Sequence, residues 1–487
     1  MKLRFIAGPD VKLPSVAGDI EITGLTPDSR QVRPGVLFAA LPGSKADGAR
    51  FVPAAIEAGA AAILCAESAL FEQGRQVPVL RVRNPRRELA LMAANFYRAQ
   101  PETIVAVTGT NGKTSIATFV RQIWRGLGNQ AASLGTIGLV RPDGAVIDSL
   151  TTPEPVTLHE MLAGLVADGV THLAMEASSH GLEQCRLDGV RLAAGAFNNI
   201  GHDHLDYHKD MEDYFDQKKR LFRVLLPEGA GAVINADAAR SAEVVDEAYG
   251  RGLRVMTVGR KGKAIRIESL ASEGFAQRLV VRHEGELFDL TLPLVGGYQA
   301  ENAVVAAGLC LATGSAPDGV FARLETLQGV SGRLEIVGRA RDGLAVVDYA
   351  HKPDALDAAL EALRPFVSGK LICVFGCGGD RDRAKRPMMG EIATRRADLV
   401  IVTDDNPRTE VPAAIRAEIL AGAPGAKEIG DRREAIVAGV GALAPGDVLL
   451  VAGKGHETGQ YVGDQVLPFS DQEVLREALI AAGGHHD

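Results

Sequence analysis

Short apolar runs alternate along the chain with stretches whose apolar residues recur at helical spacing, a pattern that predicts an α/β fold. Residues 1–99 read as a small α/β unit, with strands at 20–22, 36–40, 61–65 and 79–82 and helices at 52–58 and 87–97. A second unit is expected at 100–331. Its strands at 104–107, 171–176, 193–198, 231–235 and 254–258 are apolar enough for a mostly parallel sheet buried on both faces. Residues 265–294 differ: two or three strands with a polar turn at His283-Glu284-Gly285 predict an antiparallel edge, and a helix follows at 299–312. Loop-like stretches at 314–318 and 329–332 place a boundary near 331. Residues 332–487 then read strand 344–348, helix 354–363, strand 371–375, helix 386–396, strand 399–403, helices 411–419 and 432–443, and strand 448–452. That βαβα order predicts a parallel, Rossmann-like sheet.

Ligands of open α/β sheets bind beyond the carboxyl ends of strands. Four polar motifs fall at such ends in the last unit: Asp348-Tyr349-Ala350-His351, Gly376-Cys377-Gly378-Gly379-Asp380-Arg381, Asp404-Asp405-Asn406-Pro407-Arg408 and Gly453-Lys454-Gly455-His456-Glu457. In the first unit, 26–30 and 41–48 are polar loops after apolar strands.

The most informative strand end is at 103–118, where an apolar run breaks into Gly109-Thr110-Asn111-Gly112-Lys113-Thr114-Ser115 and then a helix. Gly109 and Gly112 let the backbone approach an anion, and the N–H groups of 112–115 would point at phosphates. Lys113 would reach the terminal phosphates, and Thr114 or Ser115 would hold Mg²⁺. The general G-x-x-x-x-G-K-[ST] spacing is not met, because Val107 stands where its first glycine belongs.

Composition narrows the class. A chain of 487 residues suggests roughly three domains. A net charge of -8 gives no general attraction to nucleic acid or an anionic membrane, so acidic substrates need local basic pockets. Five cysteines without zinc-type pairing, no apolar signal region, and a longest apolar run (303–312) too short for a bilayer predict a soluble cytoplasmic protein.

Two further strand ends carry chemistry: Glu176-Ala177-Ser178-Ser179-His180, and the run 198–208 containing Asp203-His204-Leu205-Asp206-Tyr207-His208. A glutamate beside bound triphosphate suits Mg²⁺, which takes few protein oxygens. Three histidines and two aspartates within seven residues leave zinc as an alternative.

Together with Gly332-Arg333-Leu334-Glu335 and Asp348-Tyr349-Ala350-His351-Lys352-Pro353, these motifs resemble the Mur ligase family over essentially the whole chain, and the short glycine spacing is that family's own form. The pair Asp405-Asn406-Pro407-Arg408 and Gly453-Lys454-Gly455-His456-Glu457 is similar to the family's meso-diaminopimelate-adding branch. The resemblance implies three domains: a UDP-binding domain at 1–99, an ATP-binding P-loop domain at 100–331 and an amino-acid-binding domain at 332–487. It also implies an ATP- and Mg²⁺-dependent amide ligase of peptidoglycan precursor synthesis. UDP-N-acetylmuramoyl-L-alanyl-D-glutamate and meso-diaminopimelate are the substrates, joined through an acyl phosphate, and a monomer is expected.

Residue by residue, the resemblance gives Lys113, Glu176, His204 and Lys218 the catalytic roles, with Lys218 carbamylated for a second Mg²⁺. Asn302, Arg333, Asp348, Tyr349 and His351 complete the nucleotide site. Ser29, Ser44, Lys45, Ala46, Thr151, Thr152, Ser178, Gln184 and Arg186 hold the UDP-sugar dipeptide. Arg381, Asp405, Asn406, Pro407, Arg408, Gly453 and Glu457 hold the incoming amino acid. A far carboxylate needs a forked cation and a far ammonium needs acceptors, which Arg408 and Glu457 supply. Alternatives are a lysine-adding relative, a folylpolyglutamate-synthase-like ligase and a nucleotide-binding protein without turnover.

Overall fold

The computed structural model describes residues 1–13, 17–43, 47–72, 77–201, 203–204, 207–273 and 276–486. It forms two compact units, one of 1–266 with 304–323 and the other of 267–303 with 324–487.

In the first unit, β1 (Gly24–Thr26), β2 (Val36–Ala40), β3 (Ala62–Ala66) and β4 (Val79–Val82) build a wholly parallel sheet in chain order. The strand expected at 20–22 does not form. Ile22 donates its N–H to the Met1 carbonyl and Ile20 accepts from Leu3, so this segment pairs with the N-terminus and β1 starts two residues later.

The larger sheet of this unit contains β5 (Thr103–Thr108), β6 (Ala131–Gly135), β7 (Gly138–Val140), β8 (Val146–Ile147), β9 (His172–Glu176), β10 (Leu192–Phe197), β11 (Gly231–Asn235) and β12 (Arg254–Gly259). Their order is β12-β11-β10-β5-β9-β6-β7-β8, parallel through β6, with β7 and β8 antiparallel at the edge. β5 is central and its Ile104, Val105, Ala106 and Val107 are buried, as a continuous apolar run requires. Strand β13 (Ile265–Glu273) begins beside β12, with Ile265 and Arg266 in parallel register.

In the second unit, β14 (Ala276–His283) and β15 (Glu286–Leu292) pair antiparallel around Glu284 and Gly285, as the polar turn predicts. The stretch 314–318, which belongs to the first unit, is less loop-like than expected, because Pro317 starts a helix, Pro317–Leu324, where its missing N–H costs nothing. β16 (Glu335–Ala340) lies antiparallel to β17 (Gly343–Asp348), an addition to the purely parallel pattern read from sequence. The strands β18 (Leu371–Phe375), β19 (Leu399–Val402), β20 (Lys427–Glu428) and β21 (Val448–Ala452) continue the sheet in the order β20-β19-β18-β21-β17-β16. The neighbours β19, β18, β21 and β17 are parallel, so the four polar motifs do open on one edge.

Candidate active site

The glycine-bearing loop at 109–115 takes the strand-to-helix course that its sequence implies. Gly112 takes φ 83°, a left-handed conformation that suits glycine, and directly precedes the helix Lys113–Gly126. A Cβ on Gly109 would stand 3.2 Å from both Asn198 Cβ and the Asn199 nitrogen, so a side chain there would press against β10's end. That strand end clamps the loop. Thr110 N–H donates to the Asn199 carbonyl at 3.1 Å, Asn111 N–H to Asn199 Oδ1 at 2.8 Å, and Asn198 Nδ2 to the Asn111 carbonyl at 3.0 Å.

Two lysines converge on one carbonyl. Lys113 Nζ donates to Gly109 O at 2.8 Å and to Thr110 O at 3.0 Å, while Lys218 Nζ donates to Gly109 O at 2.9 Å. Lys218, on the helix Met211–Arg220, is 1% exposed and lies 4.3 Å from the centre of the Tyr214 ring. Burial, reinforced by the Lys113 charge, pushes its ammonium well below the usual lysine range, and Asp203 opposes this only in part. Tyr214, one turn before Lys218, ties this helix to the loop through Thr110 Oγ1, 3.1 Å from its hydroxyl.

Glu176 ends β9 and is buried. Its carboxylate accepts from Thr136 N–H at 2.8 Å and from Thr136 Oγ1 at 3.3 Å, and a Cβ on Gly135 would overlap it. Thr114 and Glu176 line one small cavity. Thr136 Oγ1 also lies 3.2 Å from Thr151 Oγ1, which links the carboxylate to residues expected to hold the UDP-sugar dipeptide. His204 takes φ 54° with Nε2 3.5 Å from Asp203 Oδ2, and its ring lies 5.0 Å from that of His180. Of the five residues on which the zinc alternative rests, Asp203, His204 and His208 are described, and His202 and Asp206 lie outside the described residues.

The residues expected for the dipeptide form a connected patch. Ser178 Oγ donates to Thr152 Oγ1 at 3.0 Å, and Thr152 Oγ1 donates to the Glu176 carbonyl at 3.0 Å. The Arg186 fork is used within the chain, on the Thr152 carbonyl at 2.7 Å, Gln184 Oε1 at 2.8 Å and Glu154 at 2.8 Å. Ser29 opens a short turn capped by Asp28. Ser44, Lys45 and Ala46 lie outside the described residues.

The second unit holds the remaining candidates. Asp348 is buried and accepts from Leu334 N–H at 2.7 Å and Ala350 N–H at 2.8 Å; burial raises its pKa, against the pull of Arg333. The Arg333 guanidinium lies 4.7 Å from the Tyr349 ring centre. His351 Nδ1–H donates to the Tyr349 carbonyl at 2.8 Å, and burial pulls its pKa down to about 4, so the ring is neutral at pH 7. Asn302 Nδ2 donates to Gln299 Oε1 at 3.0 Å, and Gln299 reaches the Arg333 carbonyl at 3.1 Å.

At the other strand ends, Asn406 Nδ2 donates to Glu457 Oε2 at 2.9 Å. Lys454, fully buried, donates to Asn406 Oδ1 at 2.9 Å and Glu457 Oε2 at 3.1 Å, with Asp405 at 3.8 Å. Arg432, paired in the interior with Asp471 at 2.7 Å, holds the carbonyls of Asp404 and Ala452, just before Asp405 and Gly453. Arg408 takes φ 52° and donates from Nη1 to Gly379 O at 2.8 Å; Pro407 precedes it in the same loop. Arg381 is exposed and donates to the Asp380 carbonyl.

Sequence reasoning missed Thr136, Tyr214 and Lys454. Tyr214 stands four residues before Lys218, a spacing that shares one face of the helix Met211–Arg220.

A glycine-bearing loop at the end of a central parallel strand, followed by a second sheet with four polar strand ends, defines a multi-domain mononucleotide-binding α/β enzyme. Three family models match the chain: the Mur ligase family catalytic domain at 21–97, the Mur ligase middle domain at 107–310 and the Mur ligase glutamate ligase domain at 332–455. A Bradyrhizobium diazoefficiens protein named UDP-N-acetylmuramoyl-L-alanyl-D-glutamate--2,6-diaminopimelate ligase is 56% identical over 98% of this chain and 99% of its own length. A Brucella melitensis protein of the same name is 55% identical over 100% of both chains. A solved structure of a ligase of that name superposes with a TM-score of 0.74 at 32% identity, covering 99% of this chain and 100% of that one. The chain belongs to the Mur ligase family.

Proposed function

We propose that this protein is the ATP-dependent ligase that adds meso-diaminopimelate to the γ-carboxylate of UDP-N-acetylmuramoyl-L-alanyl-D-glutamate. The relatives' shared name and the full-length identity support the activity. The observation that carries the choice of amino acid is the Arg408 fork beside the Asn406–Glu457–Lys454 cluster. One end offers a planar donor for a carboxylate, and the other offers acceptors for an ammonium. Lysine has no far carboxylate, and an arginine left facing its ammonium would be unfavourable.

The γ-carboxylate takes the terminal phosphoryl group, releasing ADP. The diaminopimelate amine then attacks the acyl carbon, the C–O bond to phosphate breaks, and the amine proton is lost. Lys113 spreads the charge of the transferring phosphoryl group, and the helix N-terminus orients the phosphates. Asn302, Arg333, Asp348, Tyr349 and His351 are the second unit's own candidates for nucleotide contact. Ser29, Thr151, Thr152, Ser178, Gln184 and Arg186 belong to the side that holds the UDP-sugar dipeptide, with Arg186 ordering Thr152 and Gln184. Glu176 at the end of β9 and Thr114 in the first turn after the glycine loop offer the hard oxygens that Mg²⁺ takes, with Ser115 and His204 as further candidates. When bound, Mg²⁺ supplies charge neutralisation at the phosphates.

Lys218 serves as a carbamate in this reading. As an ammonium it sits against Lys113 on one carbonyl; as a carbamate its charge is reversed, and repulsion becomes attraction. UDP-linked substrates and five free, buried cysteines suit a reducing cytoplasm, and among the described residues no helix is long and apolar enough to cross a membrane.

Arg408→Ala tests the pocket. The KM for meso-diaminopimelate is expected to rise by about 30-fold or more, the order of a lost hydrogen-bonded charge pair, while the KM for ATP stays within about twofold. An unchanged diaminopimelate KM would remove Arg408 from the pocket.

A further inference from the structure

Arg408 does not set its own direction. Its loop is fastened to the Gly376–Arg381 loop at the end of β18 by contacts other than those of its own guanidinium. Gly379 N–H donates to the Asn406 carbonyl at 2.9 Å, Asp380 N–H to Glu410 Oε1 at 2.6 Å, and Thr409 gives N–H and Oγ1 to the Asp380 carboxylate at 3.1 and 2.7 Å. Beneath them lies Arg386, fully buried, whose guanidinium grips Glu410 at 2.7 and 2.9 Å, Glu418 at 2.9 Å and the Gly378 carbonyl at 3.3 Å. One cation therefore joins the loop after β18 to the loop after β19.

The two glycines make the approach possible. A Cβ on Gly379 would overlap the Pro407 carbonyl, and one on Gly378 would stand 2.8 Å from Arg408 Nη1. With Nη1 on the Gly379 carbonyl, the guanidinium tip occupies the space that a Cβ on Gly378 would contest, so a side chain there displaces the tip.

We propose that Arg386 and Glu410, with Gly378 and Gly379, are positioning residues that aim the Arg408 guanidinium and so set the selectivity for a second carboxylate on the incoming amino acid. This rests on the pocket reading given above. Arg386 touches no substrate. It acts by holding Glu410, two residues beyond Arg408, and the Gly378 carbonyl, next to the Arg408 acceptor.

The test uses Gly378→Ala, which displaces the Arg408 tip while leaving the clamp whole, and Arg386→Met, with Arg386→Lys as the conservative variant. Gly378→Ala is expected to raise the KM for meso-diaminopimelate at least tenfold, leave the KM for ATP within twofold, and narrow the preference over L-lysine by a similar factor. Arg386→Met is expected to do the same, with Arg386→Lys intermediate. If Arg386→Met does not fold, Gly378→Ala decides. Wild-type KM for diaminopimelate in Gly378→Ala, or equal rises in both KM values, would overturn the proposal. Wild-type protein that makes no diaminopimelate product would instead sink the activity reading. The clamp would then be judged from the Arg408 Nε–H resonance, which a correct proposal requires to shift in Gly378→Ala and an incorrect one leaves in place.

Discussion

Replacing Lys113 by alanine is expected to lower the rate of ADP formation by at least about 10²–10³-fold, the cost of removing one preorganised charge donor from a transition state. Lys113 heads the helix Lys113–Gly126, and its ammonium rests on the Gly109 and Thr110 carbonyls, within the loop proposed to hold the phosphates. A short rotation would redirect it without moving the backbone. The loop is also held by Asn198, Asn199 and Tyr214, so the fold should survive the substitution. The deficit should therefore appear in kcat, measured by coupled ADP release, with an unchanged melting temperature. A drop of less than tenfold would remove Lys113 from phosphoryl transfer.

Lys218→Ala is expected to lose about 10²-fold or more in the same assay, and the wild-type enzyme should depend on dissolved CO₂. Carbamylation joins a neutral amine to CO₂ and releases a proton. A lysine whose pKa is depressed by burial and by Lys113 offers that neutral amine at lower pH than a solvated lysine does. The sign follows: as pH falls through the lowered pKa the amine is protonated, the carbamate is lost, and activity falls with it. Enzyme held in CO₂-free buffer at pH 6 should lose activity and regain it on adding bicarbonate at pH 8, with native mass following by the mass of one CO₂. Activity indifferent to CO₂ across that range would reject the carbamate.

The place of the glycine-bearing loop after β5 and of the four strand ends after β17, β18, β19 and β21 was legible because each follows a continuous apolar run, whose burial on both faces leaves little freedom in placing the polar residues beyond it. The edges were not. β6 is Ala131-Ala132-Ser133-Leu134-Gly135, a run with weak strand preference, so Thr136, which binds the Glu176 carboxylate, had no predicted strand to stand on. β16 was hidden for a related reason: its antiparallel pairing depends on a partner strand that the apolar rhythm alone does not identify. Lys454 was read as part of a motif and passed over, because a fully buried ammonium between Asn406 and Glu457 follows from tertiary contact alone. Arg408 and Glu457 were readable as a charge pattern; what aims Arg408 became visible only with Arg386 and the two glycines in place.

The most direct test of the central claim is the mass of the product. Purified protein given ATP, Mg²⁺ and UDP-N-acetylmuramoyl-L-alanyl-D-glutamate, with equal meso-diaminopimelate and L-lysine, should yield the diaminopimelate adduct in large excess, with one ADP and one phosphate per amide formed. A product made mainly of the lysine adduct, or ADP release without any adduct, would contradict it.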